Sequence, residues 1–159
     1  MEIRNLENDK YRDIVNKHIK KEWGFPIVTR GNIIDVLGLP GFIAVLDNEL
    51  AGAILYQIGN DECEIVVLFS LIENVGAGSV LLNAVTNLAK EQGCKRVWLI
   101  TTNDNTPAIR YYQKRGFSLK ELHINAFKIT QKIKGEGEST IYGIDDIPIL
   151  HEVEFEMLL

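Results

Sequence analysis

The chain is poor in the residues that build frameworks or charged surfaces. It has two cysteines in 159 residues, Cys63 and Cys94, and their separation matches no metal-ligand spacing. It has no run of Lys and Arg and no basic stripe, and its net charge is -5. It therefore lacks the positive field with which a nucleic-acid surface neutralises phosphates. No apolar run approaches the roughly 18 residues that mark a membrane-spanning helix. The opening residues, Met1-Glu2-Ile3-Arg4-Asn5-Leu6-Glu7, hold no apolar segment of the kind that directs secretion. No internal repeat and no second block of composition is present. These absences lead us to expect one domain over 1–159, working in a reducing, cytoplasmic setting and meeting neither membrane nor nucleic acid.

What is present is ordinary in bulk and specific in one place. A hydrophobic content of 46% with 25% charge suits a soluble globule large enough to bury a core. The specific place is Ser70-Leu71-Ile72-Glu73-Asn74-Val75-Gly76-Ala77-Gly78-Ser79, where an apolar run passes through a glycine-punctuated loop into a helix pattern. Gly76 and Gly78 let backbone come close to a ligand, and the first amides of a helix have no partner inside it. Such donors suit an anion. A tight turn before any helix can use two glycines, so the loop alone reads either way.

Around this stretch the pattern predicts an α/β chain. Ile3 and Leu6 open a short strand, and Tyr11, Ile14, Val15, His18 and Ile19 recur at helical spacing until Gly24. His18 falls on the apolar face and reads as a packing histidine. Ile33, Ile34, Val36 and Leu37 suggest a second short helix before Gly38 and Pro40. From Gly41 to Phe69, three apolar runs separated by Asp47-Asn48-Glu49 and Gly59-Asn60-Asp61-Glu62 read as antiparallel strands joined by tight turns. The third enters the glycine loop; a helix carrying Val80, Leu81, Ala84, Val85, Leu88 and Ala89 follows up to Gly93, and Arg96 to Thr101 forms the next strand. Such a crossover makes those two strands parallel neighbours. Thr106 as cap with Pro107 at the first position opens a helix to about Arg115. Phe117 to His123 alternates as a strand, Asn125 to Ile133 suggests a further helix, and His151 to Met157 alternates strictly with Glu152, Glu154 and Glu156 on one face. That face reads as solvated or as an attractor for a cationic acceptor, and His123 and His151 are expected to pair across the last two strands.

Two segments reinforce each other: Glu73 to Ser79, and Asn105-Thr106-Pro107-Ala108-Ile109-Arg110-Tyr111-Tyr112-Gln113-Lys114-Arg115-Gly116-Phe117. Gly-x-Gly, then Asn-x-x-Ala, Tyr and Gly-Phe, is a pattern that resembles the GNAT superfamily of acetyl-CoA-dependent N-acetyltransferases. The resemblance implies a mixed, mostly antiparallel sheet, splayed between the family's fourth and fifth strands and flanked by helices. It implies acetyl-CoA as cosubstrate, with its pyrophosphate on the amides of Val75, Gly76, Ala77, Gly78 and Ser79. Asn105 would hydrogen-bond the pantetheine arm, and Tyr112 would protonate the departing thiolate. Backbone amides near Ser70, Leu71 and Ile72 would polarise the acetyl carbonyl. Where the family often has a cation in this loop, Glu73, Asn74 and Val75 stand here.

The chemistry suits these residue types. Negative charge grows on the carbonyl oxygen as an amine attacks, and fixed backbone donors stabilise it. A tyrosine with its ordinary pKa near 10 is protonated at neutral pH and can donate. Glu64, on the strand leading into the loop, either accepts the amine's proton or is a strand-face carboxylate in water. Tyr111 beside Tyr112 reads as packing. A dinucleotide-binding dehydrogenase shares the strand, Gly-x-Gly and helix but fits worse: Leu81 replaces its third glycine, and Thr101 and Thr102 replace its acid. The expectation is an acyltransferase that joins an acetyl group to an amine in a ternary complex without metal, with a homodimer through the last strands. A catalytically silent acyl-CoA sensor of the same fold is the alternative.

Overall fold

A computed structural model of the protein describes residues 1–159. In chain order the elements are β1 (Glu2–Asn5), α1 (Arg12–Glu22), β2 (Ile27–Thr29), β3 (Asn32–Ile34), β4 (Gly41–Leu46), β5 (Glu49–Gly59), β6 (Glu62–Ser70), α2 (Ala77–Glu91), β7 (Arg96–Thr102), α3 (Thr106–Lys114), β8 (Ser118–His123), α4 (Ala126–Ile133) and β9 (Glu152–Leu158), with a 3-10 turn at Ile144–Asp146 before β9. They fall into two compact units. One comprises Met1–Phe25, Asp35–Val97 and Leu158–Leu159, and the other Pro26–Ile34 and Trp98–Met157.

In the first unit the strands lie in the order β1-β4-β5-β6, each antiparallel to the next. The two connections between β4, β5 and β6 are the tight turns expected from the sequence. Asp47 and Asn48 have φ of 50° and 63°, and Asn60 and Asp61 have φ of 54° and 60°. Two consecutive left-handed residues match the twist of the flanking strands, and Asn and Asp tolerate that conformation best after glycine. The core gathers Leu6, Val15, Ile19, Ile43, Ile54, Leu55, Val67, Leu81 and Val85, all buried. Gly52, in the middle of β5, admits α2 close to the sheet: a Cβ there would lie 2.6 Å from the Phe69 carbonyl oxygen and 3.3 Å from Leu81. His18 packs as expected, its ring 4.1 Å from that of Phe69.

The second unit holds a β7-β9-β8 run, with β8 antiparallel to β9, together with α3, α4 and a hairpin of β2 and β3. The hairpin replaces the expected helix around Ile33 to Leu37. Burial there alternates, with Ile34 and Val36 inside and Ile33, Asp35 and Leu37 outside, which is the period of extended chain rather than of a helix. Its turn is Arg30-Gly31, with φ of 50° and 75°. Helix α3 also begins differently from the expectation. Asn105, not Thr106, is the cap: its side-chain oxygen accepts from the Ala108 N–H at 3.2 Å, and Pro107 stands second in the helix.

Candidate functional site

The glycine loop is built by β6 and finished by α2. Ser70 closes β6 in register with Gly52. The next two amides, of Leu71 and Ile72, both donate to the Ala51 carbonyl, at 2.7 and 3.4 Å, which fastens the start of the loop to β5. Asn74 and Gly76 are left-handed, with φ of 60° and 78°, and Gly76 caps α2 without any side-chain cap. No atom lies where a Gly76 Cβ would go, so the backbone conformation alone demands glycine there. Val80 is the first residue whose amide turns back into the helix, onto the Gly76 carbonyl at 3.2 Å. The Ala77 and Gly78 amides before it have no partner within the helix, the cap offers them no side chain, and the first turn contains no acid. A 15-residue helix thus presents its positive end with these donors uncapped, which suits phosphate oxygens. Val75 and Ser79 flank these donors, and Glu73 is exposed.

Upstream on β6 the structure shows a feature that the sequence pattern does not announce. Leu55 pairs with Val67 while Tyr56 pairs with Ile65, so Val66 is an extra residue in a β-bulge. A bulge takes its residue out of the ladder and re-aims the backbone. Two residues earlier, Glu64 is 6% exposed and its carboxylate accepts from Gln57 Nε2 at 2.7 Å. The reading of Glu64 as a water-washed strand-face carboxylate is therefore overturned. Cys63 beside it is no nucleophile: burial first, then Cys94 and Glu64, push its thiol up to about 12.

In the second unit, Asn105 and Tyr112 are brought to the same side of α3, about two turns apart. The Asn105 side-chain oxygen is engaged as the cap, which leaves its Nδ2 as the donor. Tyr112 is buried against Tyr111 at 5.2 Å, Phe117 at 5.5 Å and Phe155 at 6.0 Å between ring centroids. Burial, and to a lesser degree Tyr111, raises its pKa above the ordinary 10.0 despite the opposing Arg115, so the phenol is protonated throughout the neutral range. The Tyr112 carbonyl accepts from the Arg115 and Phe117 amides, both at 3.0 Å, so the helix end fixes the residue from the backbone as well.

The strand face of Glu152 and Glu154 corrects the sequence reading. Both are 2% exposed, so the face is not solvated. Glu152 accepts from the Arg30 backbone N–H at 2.7 Å and from the Thr130 hydroxyl at 2.9 Å. Glu154 accepts from His123 Nε2 at 3.0 Å and pairs with the Arg30 guanidinium at 3.4 Å, which also lies 4.4 Å over Trp98. The two histidines do not pair: His151 Nδ1 instead accepts from the Asn125 N–H at 2.8 Å. Sequence reasoning missed Arg30, and it missed the neighbours Asn103 and Asp104. Asn103 Oδ1 takes the Leu150 and His151 amides, both at 2.9 Å. Buried Asp104 takes the Ile144 amide at 3.1 Å and the Thr102 hydroxyl at 2.5 Å. The available signal was the polar run Thr101 to Asn105, longer than a helix cap needs.

Comparison with known proteins gives one family. The model of the acetyltransferase (GNAT) family matches residues 2–117. The uncharacterised protein YxbD of Bacillus subtilis is 39% identical over 127 residues, 79% of this chain and 80% of that protein. Streptothricin acetyltransferase of Streptomyces lavendulae is 33% identical over 106 residues, 64% of this chain and 54% of that protein. A solved GNAT family acetyltransferase from Elizabethkingia anophelis, with acetyl-CoA bound, shares the fold with a TM-score of 0.67 at 19% identity, over 99% of this chain and 97% of that one.

Proposed function

Because the chain belongs to the GNAT acetyltransferase family, we propose that it moves the acetyl group of acetyl-CoA to an amine by direct attack in a ternary complex, with 1–159 serving as one functional domain. The observation that carries this reading is the left-handed, glycine-capped start of α2, where no side chain caps the first amides and no acid stands in the first turn. In the proposed site, the amides from Val75 through Ser79 hold the pyrophosphate, with Gly76 and Gly78 allowing the approach. Asn105 Nδ2 holds the pantetheine arm. Bound acetyl-CoA supplies an activated carbonyl joined to a good leaving thiolate.

The protein's part is to supply donors and move protons. The carbonyl donor is assigned to the bulge at Val66, because the Leu71 and Ile72 amides expected in that role are engaged by Ala51; Ser70, expected to share that role, closes the same strand. Glu64, in its buried bond to Gln57, takes the proton that the amine nitrogen sheds as its bond to the acetyl carbon forms. Tyr112 gives its phenolic proton to sulfur as the carbon–sulfur bond breaks; the proton on Glu64 then leaves to solvent and one from solvent returns to Tyr112. No metal is required by these steps. The relative that bears the name streptothricin acetyltransferase makes streptothricin the first acceptor to assay.

The test separates chemistry from binding. Tyr112→Phe is expected to lower kcat by roughly 10²-fold or more while acetyl-CoA affinity holds; equal loss of both sinks the proton-donor role. Gly76→Val, forcing a β-branched residue to φ of 78°, should weaken acetyl-CoA binding by about 10-fold or more in calorimetry. Wild-type affinity in that variant rejects the cradle. Binding without turnover on a broad amine panel, unmoved by Tyr112→Phe, would instead select a silent acyl-CoA sensor. No helix is long and apolar enough to cross a membrane. The cytoplasm is the proposed place of action, and a homodimer through β8 and β9 the proposed assembly, which light scattering checks.

A further inference from the structure

The register between β8 and β9 places like charges face to face. Glu121 stands directly opposite Glu154, and His123 directly opposite Glu152, on the side of the ladder opposite the one that Phe155 and Leu119 share. Like charges directly across a strand pair destabilise it unless a cation lies between them. Arg30 answers only part of this: its guanidinium reaches Glu154 at 3.4 Å but is also laid over the Trp98 indole at 4.4 Å, while Glu152 receives only neutral donors, the Arg30 backbone N–H and the Thr130 hydroxyl. Glu121 is exposed, His123 half-buried and Glu154 buried. The ligand atoms of Glu121, His123 and Glu154 all lie within 4.8 Å of one another.

We propose that Glu121, His123 and Glu154 form a binding site for a divalent cation of the zinc class, outside the acetyl-transfer machinery. One imidazole and two carboxylates from adjacent strands are a ligand set that zinc accepts, with water or another ligand completing four-fold coordination. The imidazole selects zinc, cobalt or nickel over magnesium and calcium, which favour oxygen alone. Tetrahedral ligands stand about 3.4 Å apart at zinc distances. The His123–Glu154 pair at 3.0 Å needs only to open slightly, and the exposed Glu121 side chain is free to swing in. His123 Nε2 now faces Glu154; with the ring proton on Nδ1 instead, the Nε2 lone pair faces the metal and no covalent bond beyond the N–H is altered. The cation would neutralise the Glu121–Glu154 repulsion and clamp the edge strand β8 onto β9.

The experiment uses tag-free full-length protein and zinc chloride alone. Thermal unfolding should rise by roughly 5–10 °C when zinc reaches about 100 times its Kd, and calorimetry should give one ion per chain. Magnesium at the same concentration should leave the midpoint unmoved. His123→Ala should abolish the zinc shift. Glu121→Gln, an exposed substitution that leaves the interior intact, should weaken zinc binding by about 10-fold or more, so the proposal stands on a folded variant even if His123→Ala unfolds. Absence of a zinc shift in the wild type, an equal shift with magnesium, or a zinc shift retained in both variants overturns it; the last outcome would move the ion to Cys63, Cys94 or His151.

Discussion

Tyr112 illustrates how one residue's surroundings decide its chemistry. Enclosed by Tyr111, Phe117 and Phe155, its phenol titrates above the ordinary value of 10.0. The sign of the consequence follows directly. The fold favours the protonated form, so the stability this group contributes is fully present below about pH 10 and is lost as pH climbs through the raised value. An acid that stays protonated also keeps its role in alkali. We expect kcat with an amine acceptor to show no descending limb up to pH 10, and Tyr112→Phe to unfold less steeply between pH 10 and pH 11 than the wild type. A wild-type kcat that falls from pH 8 upward would assign the donor to another group. Residue identities of this kind were legible in part. The pair Asn105 and Tyr112 stood out through the family pattern that they complete, whereas the burial of Glu152 and Glu154 could not be read. Alternation says which residues share a face but not what covers it, and their partners His123, Thr130 and Arg30 lie between 22 and 124 residues away in sequence.

At the scale of elements, α3 would join stability to the proposed binding through a single side chain. Asn105 Oδ1 caps the helix, which leaves Nδ2 for a ligand. The two contributions separate by substitution. Asn105→Ala should cost about 1 kcal/mol of folding stability through the lost cap and also weaken acetyl-CoA binding. Asn105→Ser, which restores a capping oxygen without an amide donor, should keep the stability measured in urea while binding remains weak. If serine restores both, the assigned contact to the pantetheine arm is wrong. The elements themselves were mostly legible, because Asp47-Asn48 and Asn60-Asp61 are residues that accept the left-handed turns between β4, β5 and β6. The hairpin of β2 and β3 was not, since its turn forces an arginine to φ of 50° and the apolar residues after it also fit a helix face. The bulge at Val66 left no mark at all, being a matter of register between two segments, Ala53 to Tyr56 and Ile65 to Leu68, that are apolar throughout.

For the molecule as a whole, charge sets the way an anionic ligand is met. The chain carries -5 net, its glycine loop offers amides rather than Lys or Arg, and Glu73 stands exposed beside them. A site made of cations loses affinity steeply as salt rises. A site made of amides in an acidic protein should not. We expect the Kd for acetyl-CoA to stay level or tighten slightly between about 50 and 200 mM salt, a range over which phosphate-clamping cations lose much of their affinity. A steep loss would mean that a cation outside the loop reaches the phosphates.

The two thiols described above acquire a meaning from what the reaction releases. In the proposed reaction, transfer of the acetyl group would leave free CoA, itself a thiol, next to a protein whose Cys63 and Cys94 are buried and held protonated by that burial. Thiol–disulfide exchange proceeds through an accessible thiolate, so the oxidised form of the product finds no partner on this chain. The folded protein should therefore be silent toward thiol-reactive dyes, and the colour that such a dye develops during turnover would count product alone.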